Sequence, residues 1–141
     1  MPVIQLSLDA TQPAQAHYDL AQELTPLREM GVLILGSGNM VHNLRRAVIR
    51  GGNFNAAFGF DWAIEANTLF KQLIDAGDHQ ALIRYPALGS AVQLAVPTPE
   101  HYLPLLYALA LKRPGDAVRY FNDQPVAGSL TMTSLVIRPT G

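Results

Sequence analysis

Apolar residues fall along this chain in short runs of changing period, separated by turns rich in Gly, Pro and Asn. Val3 to Leu8 reads as a strand, with β-branched Val3 and Ile4 leading it. Asp9, Thr11 and Pro13 supply turn and helix-start chemistry. Ala16, Leu20, Leu24 and Leu27 then recur at helical spacing, predicting a helix from Ala14 to Met30 that Pro26 kinks or ends early and Gly31 stops. Val32 to Leu35 is wholly apolar, as a strand covered on both faces would be. Strand, helix and strand at this spacing predict a parallel, right-handed βαβ unit. Ligands of such sheets collect beyond the carboxyl ends of the strands, where the loop Gly36–Asn43 begins.

Residues Arg50 to Gly59 are rich in Gly and Asn and predict a surface loop. Asp61 is placed to cap a helix from Trp62 to Asp75, with Ile64, Leu69, Leu73 and Ile74 turned inward. A short helix is expected over Asp78 to Tyr85 and mostly irregular chain from Pro86 to Pro97. Thr98 as N-cap and Pro99 at the first helical position introduce the apolar run Tyr102 to Leu111. Ala117 to Phe121 and Ser129 to Ile137 read as two strands around a Pro125–Gly128 turn. The sum is an α/β fold: a parallel or mixed central sheet with helices on both faces, all 141 residues belonging to one domain.

Composition narrows the function classes. The chain is 49% hydrophobic and 15% charged, against roughly a quarter charged in an average domain, so a large core or an apolar surface awaiting a partner is expected. A net charge of −1 with no run of Lys or Arg argues against nucleic acid. With no Cys, disulfides, thiolate metal sites and Cys nucleophiles are out, which fits the cytoplasm. No stretch approaches the roughly 20 apolar residues of a membrane span, and Met1 to Leu6 has no signal-peptide pattern. A chain that enters a strand this early suggests polypeptide upstream.

Two histidines stand in settings that suit an exposed imidazole. His42 follows the apolar strand through a turn of Gly36, Gly38, Asn39 and Asn43; His101 follows Pro97 and Pro99 at the start of an apolar helix. Imidazoles on the rims of two elements suit metal binding or acid/base work. Gly36 and Gly38 allow close backbone approach. Asn39 and Asn43 are the candidate substrate-binding side chains, and they can also fix the imidazole tautomer. A cation at a helix start is disfavoured, which favours the neutral, metal-binding form of His101. A loop His bonded to its own turn and a His merely decorating a helix end are the plainer readings of the same residues. His17 and His79 are expected to face solvent. Gly36-Ser37-Gly38 lacks the remaining spacing of a dinucleotide fingerprint, there is no Walker motif, and Ser37 is not in a nucleophile elbow.

Four segments carry a resemblance in order and spacing: Val3-Ile4-Gln5-Leu6-Ser7-Leu8-Asp9, Gly36 to Leu44, Pro97-Thr98-Pro99-Glu100-His101-Tyr102-Leu103-Pro104-Leu105-Leu106-Tyr107, and Gly128-Ser129-Leu130-Thr131-Met132. In these the chain resembles the class III extradiol ring-cleavage dioxygenases of the DOPA 4,5-dioxygenase branch, over nearly its whole length but only the C-terminal half of the family's domain. The resemblance implies one Fe(II), or in some members Zn(II), with His101 as a metal ligand and His42 as the acid/base histidine close enough to ligate as well. It implies a small aromatic diol, DOPA-like, and O2 as reactants. Two further metal-site histidines expected near the family's N-terminus have no counterpart here, and three protein ligands are usual for such a site.

Three readings follow: an extradiol dioxygenase domain, truncated or needing another chain; a non-catalytic remnant that keeps the fold and forms homo-oligomers through surface the missing N-terminal half would cover; and a hydrolase using a metal-bound water, for which Asp61, Asp75, Asp78 and Glu100 show no ligand spacing. Whether the isolated chain is an enzyme is left open by the missing histidines.

Overall fold

The helical spacing of the first third of the chain produces two helices rather than one. In the computed structural model, which describes residues 1–140, α1 spans Ala14–Glu23 and α2 spans Thr25–Glu29, with Pro26 in the first turn of α2. Proline is tolerated there because the first-turn N–H has no helical partner. Gly31 closes the segment at φ +72°, a conformation glycine enters without a Cβ penalty.

Three more helices and a fourth short one build the core. They are α3 (Asp61–Ala76), α4 (His79–Ile83), α5 (Ser90–Ala95) and α6 (Leu103–Ala110). On α3 the buried positions Ala63, Ala66, Phe70 and Ile74 form one helical stripe, and its small residues let α5 approach with its own buried Ala91 and Ala95. Asp78 caps α4 by accepting from the Ala81 N–H at 3.0 Å. Phe70, Ile74, Leu82, Tyr102, Leu106 and Leu109 have no exposed surface. The Tyr102 ring lies against Tyr85 and Phe70, and its hydroxyl donates to the Leu82 carbonyl at 2.9 Å. Burial on this scale holds the Tyr102 phenol protonated far above the ordinary range.

The strands are few. β1 (Asp116–Phe121) pairs antiparallel with β4 (Ser134–Pro139), Asp116 opposite Pro139 and Phe121 opposite Ser134. Between them the chain forms a small hairpin of β2 (Pro125–Val126) and β3 (Leu130–Thr131). Arg28 fastens α2 to this end of the molecule, donating to Asp116 at 2.7 Å and to the Leu111 carbonyl at 2.5 Å.

The mixed α/β character expected from sequence is present, but the two sheets are antiparallel pairs and no central parallel sheet is seen among the described residues. Val3–Leu8 and Val32–Leu35 have no regular secondary structure and no strand pairing. Among the described residues, 1–8 and 33–38 exchange no backbone hydrogen bond with the rest of the chain. A strand exists only when a neighbour pairs its backbone, and none is supplied.

Smaller corrections have local causes. Residues 90–95 are helical where irregular chain was expected. Ile64 is exposed, because the apolar stripe of α3 runs through Ala63 and Ala66 instead. Asp61 is the first residue of α3 and makes no side-chain cap. Helix α6 starts at Leu103, because Pro99 and Tyr102 form a turn ahead of it, the Pro99 carbonyl accepting from Tyr102 and Leu103. No helix of the described residues is long and apolar enough to cross a membrane.

Candidate functional site

The glycines of the first histidine loop have a packing role. A Cβ at Gly38 would sit 2.2 Å from the His101 carbonyl oxygen, and one at Gly36 would sit 2.6 Å from that of Pro104. Only a bare backbone fits there, so the loop lies directly on the chain entering α6. The Asn39 N–H donates to the His101 carbonyl at 2.8 Å and locks the two motifs together. From Met40 the chain passes between α5 and β3: the His42 N–H donates to Ala95, the Asn43 N–H to Ser129, and the Thr131 N–H back to Val41.

This threading brings the His42 and His101 rings to 5.1 Å between centroids, inclined at 55°. Their surroundings differ. His101 is exposed, as its place outside the core suggests. His42 is 4% exposed, against the expectation of an exposed imidazole, because the loop folds back under residues 95–98.

Both ring nitrogens of His42 face backbone carbonyls, Nδ1 that of Asn39 and Nε2 that of Thr98, each at 3.0 Å. A neutral imidazole has one N–H and satisfies one of them; an imidazolium satisfies both. Burial pushes the His42 pKa down, the Thr98 and Asn39 carbonyls push it up, His101 adds to the lowering and Glu100 opposes it; the net direction is down. The ring is therefore held neutral with one lone pair against a carbonyl, and to bind a metal it must release one of these contacts. Glu100 accepts from the Thr98 hydroxyl at 2.7 Å, the largest reason that its own pKa lies below the usual carboxylate value.

The two asparagines beside His42 act on the backbone. Asn39 donates its amide to the Thr131 carbonyl at 2.8 Å and Asn43 donates to the Leu94 carbonyl at 2.7 Å. Ser129 donates its hydroxyl to the Asn43 carbonyl at 2.8 Å. Both side chains thus position the His42 loop, each with one of its two amide N–H groups.

His17 and His79 do not face solvent as expected. His17 is buried, its Nε2 3.0 Å from the Asp9 carbonyl and its Nδ1 3.0 Å from the Tyr107 hydroxyl, joining α1 to α6. His79 Nδ1 lies 2.7 Å from the Tyr18 hydroxyl, while its Nε2 is buried without a partner. Both sit on helix faces turned toward another helix. Among the described residues no three His, Asp or Glu side chains come together in a metal-holding group.

Comparison with known proteins places this arrangement. No protein-family model matches the chain. The 4,5-DOPA dioxygenase extradiol of Escherichia coli K12 is 33% identical over 139 residues, which span 97% of this chain and 50% of that protein. The enzyme of the same name from Beta vulgaris is 32% identical over 110 residues, spanning 77% of this chain and 39% of that protein. A crystal structure of an uncharacterized protein from Escherichia coli K12 superposes with a TM-score of 0.75 at 31% identity, over 92% of this chain and 52% of its own. The chain spans about half the length of the curated relatives it matches. By sequence it is a relative of the class III extradiol dioxygenases of the 4,5-DOPA branch, matching them over about half of their length or less.

Proposed function

We propose that these residues are the C-terminal portion of an extradiol dioxygenase domain that opens the ring of a DOPA-like catechol with Fe(II), or Zn(II) in its place, and O2. The observation that carries this reading is the pairing of an exposed His101 with a buried, neutral His42 whose rings are 5.1 Å apart. In such a reaction the carbon–carbon bond beside the two hydroxyls breaks and both oxygen atoms enter the product, a coloured semialdehyde acid. A metal, if bound with His101 among its ligands, would supply a common centre for the diol and dioxygen.

The donors of this chain alone do not fit a complete metal site: His101 is free to bind, His42 is held by two carbonyls, and no third donor stands beside them among the described residues. No step through a metal is therefore derived from this chain alone. What its own residues can do is hold a proton at His42. A neutral imidazole of lowered pKa takes a proton from a catechol hydroxyl once its ring leaves a carbonyl, and gives it back when it returns. Asn39 and Asn43 keep the loop in register for that movement. A second reading, a non-catalytic remnant of the fold, draws its support from the same two carbonyl contacts on His42.

Anaerobic Fe(II) loading tests the proposal, first on this chain and then on the chain joined to the unmatched half of the Escherichia coli relative. The joined protein is expected to hold one iron, consume oxygen with DOPA and turn yellow. His101→Ala should abolish metal binding with the fold intact, and His42→Ala should lower turnover more than metal affinity. Unchanged iron content in His101→Ala would remove His101 from the ligand set.

A further inference from the structure

The loop that carries His42 starts on the open side of α6. Residues 36–40 run along a groove of about 550 Å³ whose other wall is β4. From Met40 the chain turns inward, and Val41, His42 and Asn43 are buried. There it meets Gly128-Ser129-Leu130-Thr131-Met132, a segment of the resemblance that has no part in the chemistry proposed above. Ser129 and Thr131 are themselves buried. His42 pairs with Leu130 in a single antiparallel bridge. The Thr131 N–H donates to the Val41 carbonyl and the Asn43 N–H to the Ser129 carbonyl, each at 3.2 Å. The Thr131 hydroxyl donates in turn to Asn67 of α3 at 3.1 Å, which fixes this frame to the core.

The backbone turns tightly just after His42. Asn43 has φ −79° and ψ 81°, close to an inverse γ-turn, and the turn is closed by the Leu44 N–H donating to the His42 carbonyl at 2.9 Å. The His42 N–H donates to the Ala95 carbonyl, also at 2.9 Å. Both main-chain polar groups of His42 are engaged, so its ring changes partners only by rotating about its side-chain bonds. The Asn43 carbonyl accepts from the Arg46 N–H at 3.0 Å and a second time from the Ser129 hydroxyl at 2.8 Å. The first bond already satisfies that carbonyl. What the hydroxyl adds is the orientation of the peptide that follows Asn43.

We propose that Ser129 is a positioning residue for His42: clasping Asn43 from both sides, it holds the turn that aims the imidazole at the Asn39 and Thr98 carbonyls and, during turnover, at the catechol hydroxyl. The turnover part rests on the functional reading above; the aiming of the ring does not. The two carbonyls lie on different segments, Asn39 three positions before His42 and Thr98 56 positions after it. A ring that meets both at 3.0 Å depends on where its backbone stands, and a turn left free to pivot at Asn43 would move it off one of them. A serine that served folding alone would leave the ring no worse placed than any other buried histidine when its hydroxyl was removed. His17 supplies that comparison. It is as deeply buried as His42, has both ring nitrogens partnered, and joins α1 to α6 away from Ser129.

The test is Ser129→Ala, read in two ways. In this chain, exchange of the imidazole N–H with solvent is followed by nitrogen-resolved magnetic resonance for His42 and His17 together. The His42 ring proton should exchange at least about tenfold faster than in the parent chain while that of His17 keeps its rate. In the polypeptide with the unmatched half of the Escherichia coli relative joined ahead of Met1, kcat with DOPA should fall at least about tenfold, with KM and iron content unchanged. Equal loosening of both rings would make Ser129 an ordinary fold contact and overturn the proposal. Unchanged exchange at His42 overturns it as well, and so does a loosened His42 with undiminished kcat. If the joined parent protein shows no dioxygenase activity, the functional reading is lost, and the two ring protons alone decide whether Ser129 aims His42.

Discussion

The two sides of α6 are similarly apolar and differently treated. Toward the core, Leu106 and Leu109 meet Phe70, Ile74 and Leu82, all without exposed surface. Toward the groove, Leu105 and Ala108 look out on Val32-Leu33-Ile34-Leu35, a run more apolar than any four residues of α3, yet mostly exposed. The difference lies in what each element needs from others. A helix satisfies its backbone internally and needs a neighbour for one stripe; a strand needs neighbours for its backbone and, here, for both faces. The helices of this chain are therefore formed and packed, while the strands of the expected βαβ unit are left unpaired.

The sharpest way to break that contrast is to truncate one large residue on each side. Phe70→Ala should cost about 3–5 kcal/mol, the range for a buried aromatic. Leu33→Ala in the isolated chain should change stability by less than about 0.5 kcal/mol, as at an ordinary surface position. Urea unfolding of the two variants checks both. A cost for Leu33→Ala approaching that of Phe70→Ala would mean that the groove is filled in solution.

A smaller effect tests the seam between the sides. Gly38→Ala puts a methyl group 2.2 Å from the His101 carbonyl, against backbone that cannot rotate away. The loop must lift, at a cost of about 1–3 kcal/mol. His42 should lose its Asn39 and Thr98 contacts along with it. The histidine ring resonances would report this, and unchanged shifts for His42 would mean that the glycine contact does not position the ring.

How much of this was legible in the sequence follows the same division. Helix spacing, the break at Pro26, the stop at Gly31 and the cap at Asp78 are local matters, and the structure agrees with the first three read from sequence. The two histidine motifs were legible as a pair, and they do meet. What the residues beside them do was not. Asn39 and Asn43 are recognisable as polar loop residues, but that their amides go to Thr131 and Leu94 depends on contacts 92 and 51 positions away. The burial of His17 and the half-burial of His79 were missed for a similar reason. A His on an amphipathic helix reads as surface until a tyrosine on another helix, Tyr107 or Tyr18, is seen to reach it. The parallel sheet was legible only as a demand: alternation and apolar runs say that a strand wants partners, and cannot say whether these 141 residues contain them.

The smallest expected effect concerns His79, at the α1–α4 contact on the packed side. Burial pushes its pKa below the ordinary 6.5, Lys112 adds to the lowering and Asp78 opposes it. The folded state thus binds fewer protons than the unfolded state just below that value, and stability rises with pH across the window. Acidification from pH 7 through 6.5 and below should lower the denaturation midpoint, with His42, depressed in the same direction, contributing alongside. In His79→Gln the slope should be shallower, because the substituted amide does not titrate while His42 still does. The sign is what matters. A midpoint that rises on acidification would require the partnerless Nε2 of His79 to find an acceptor once protonated, so that the packed side of the molecule, like the open one, would be awaiting a contact these residues do not supply.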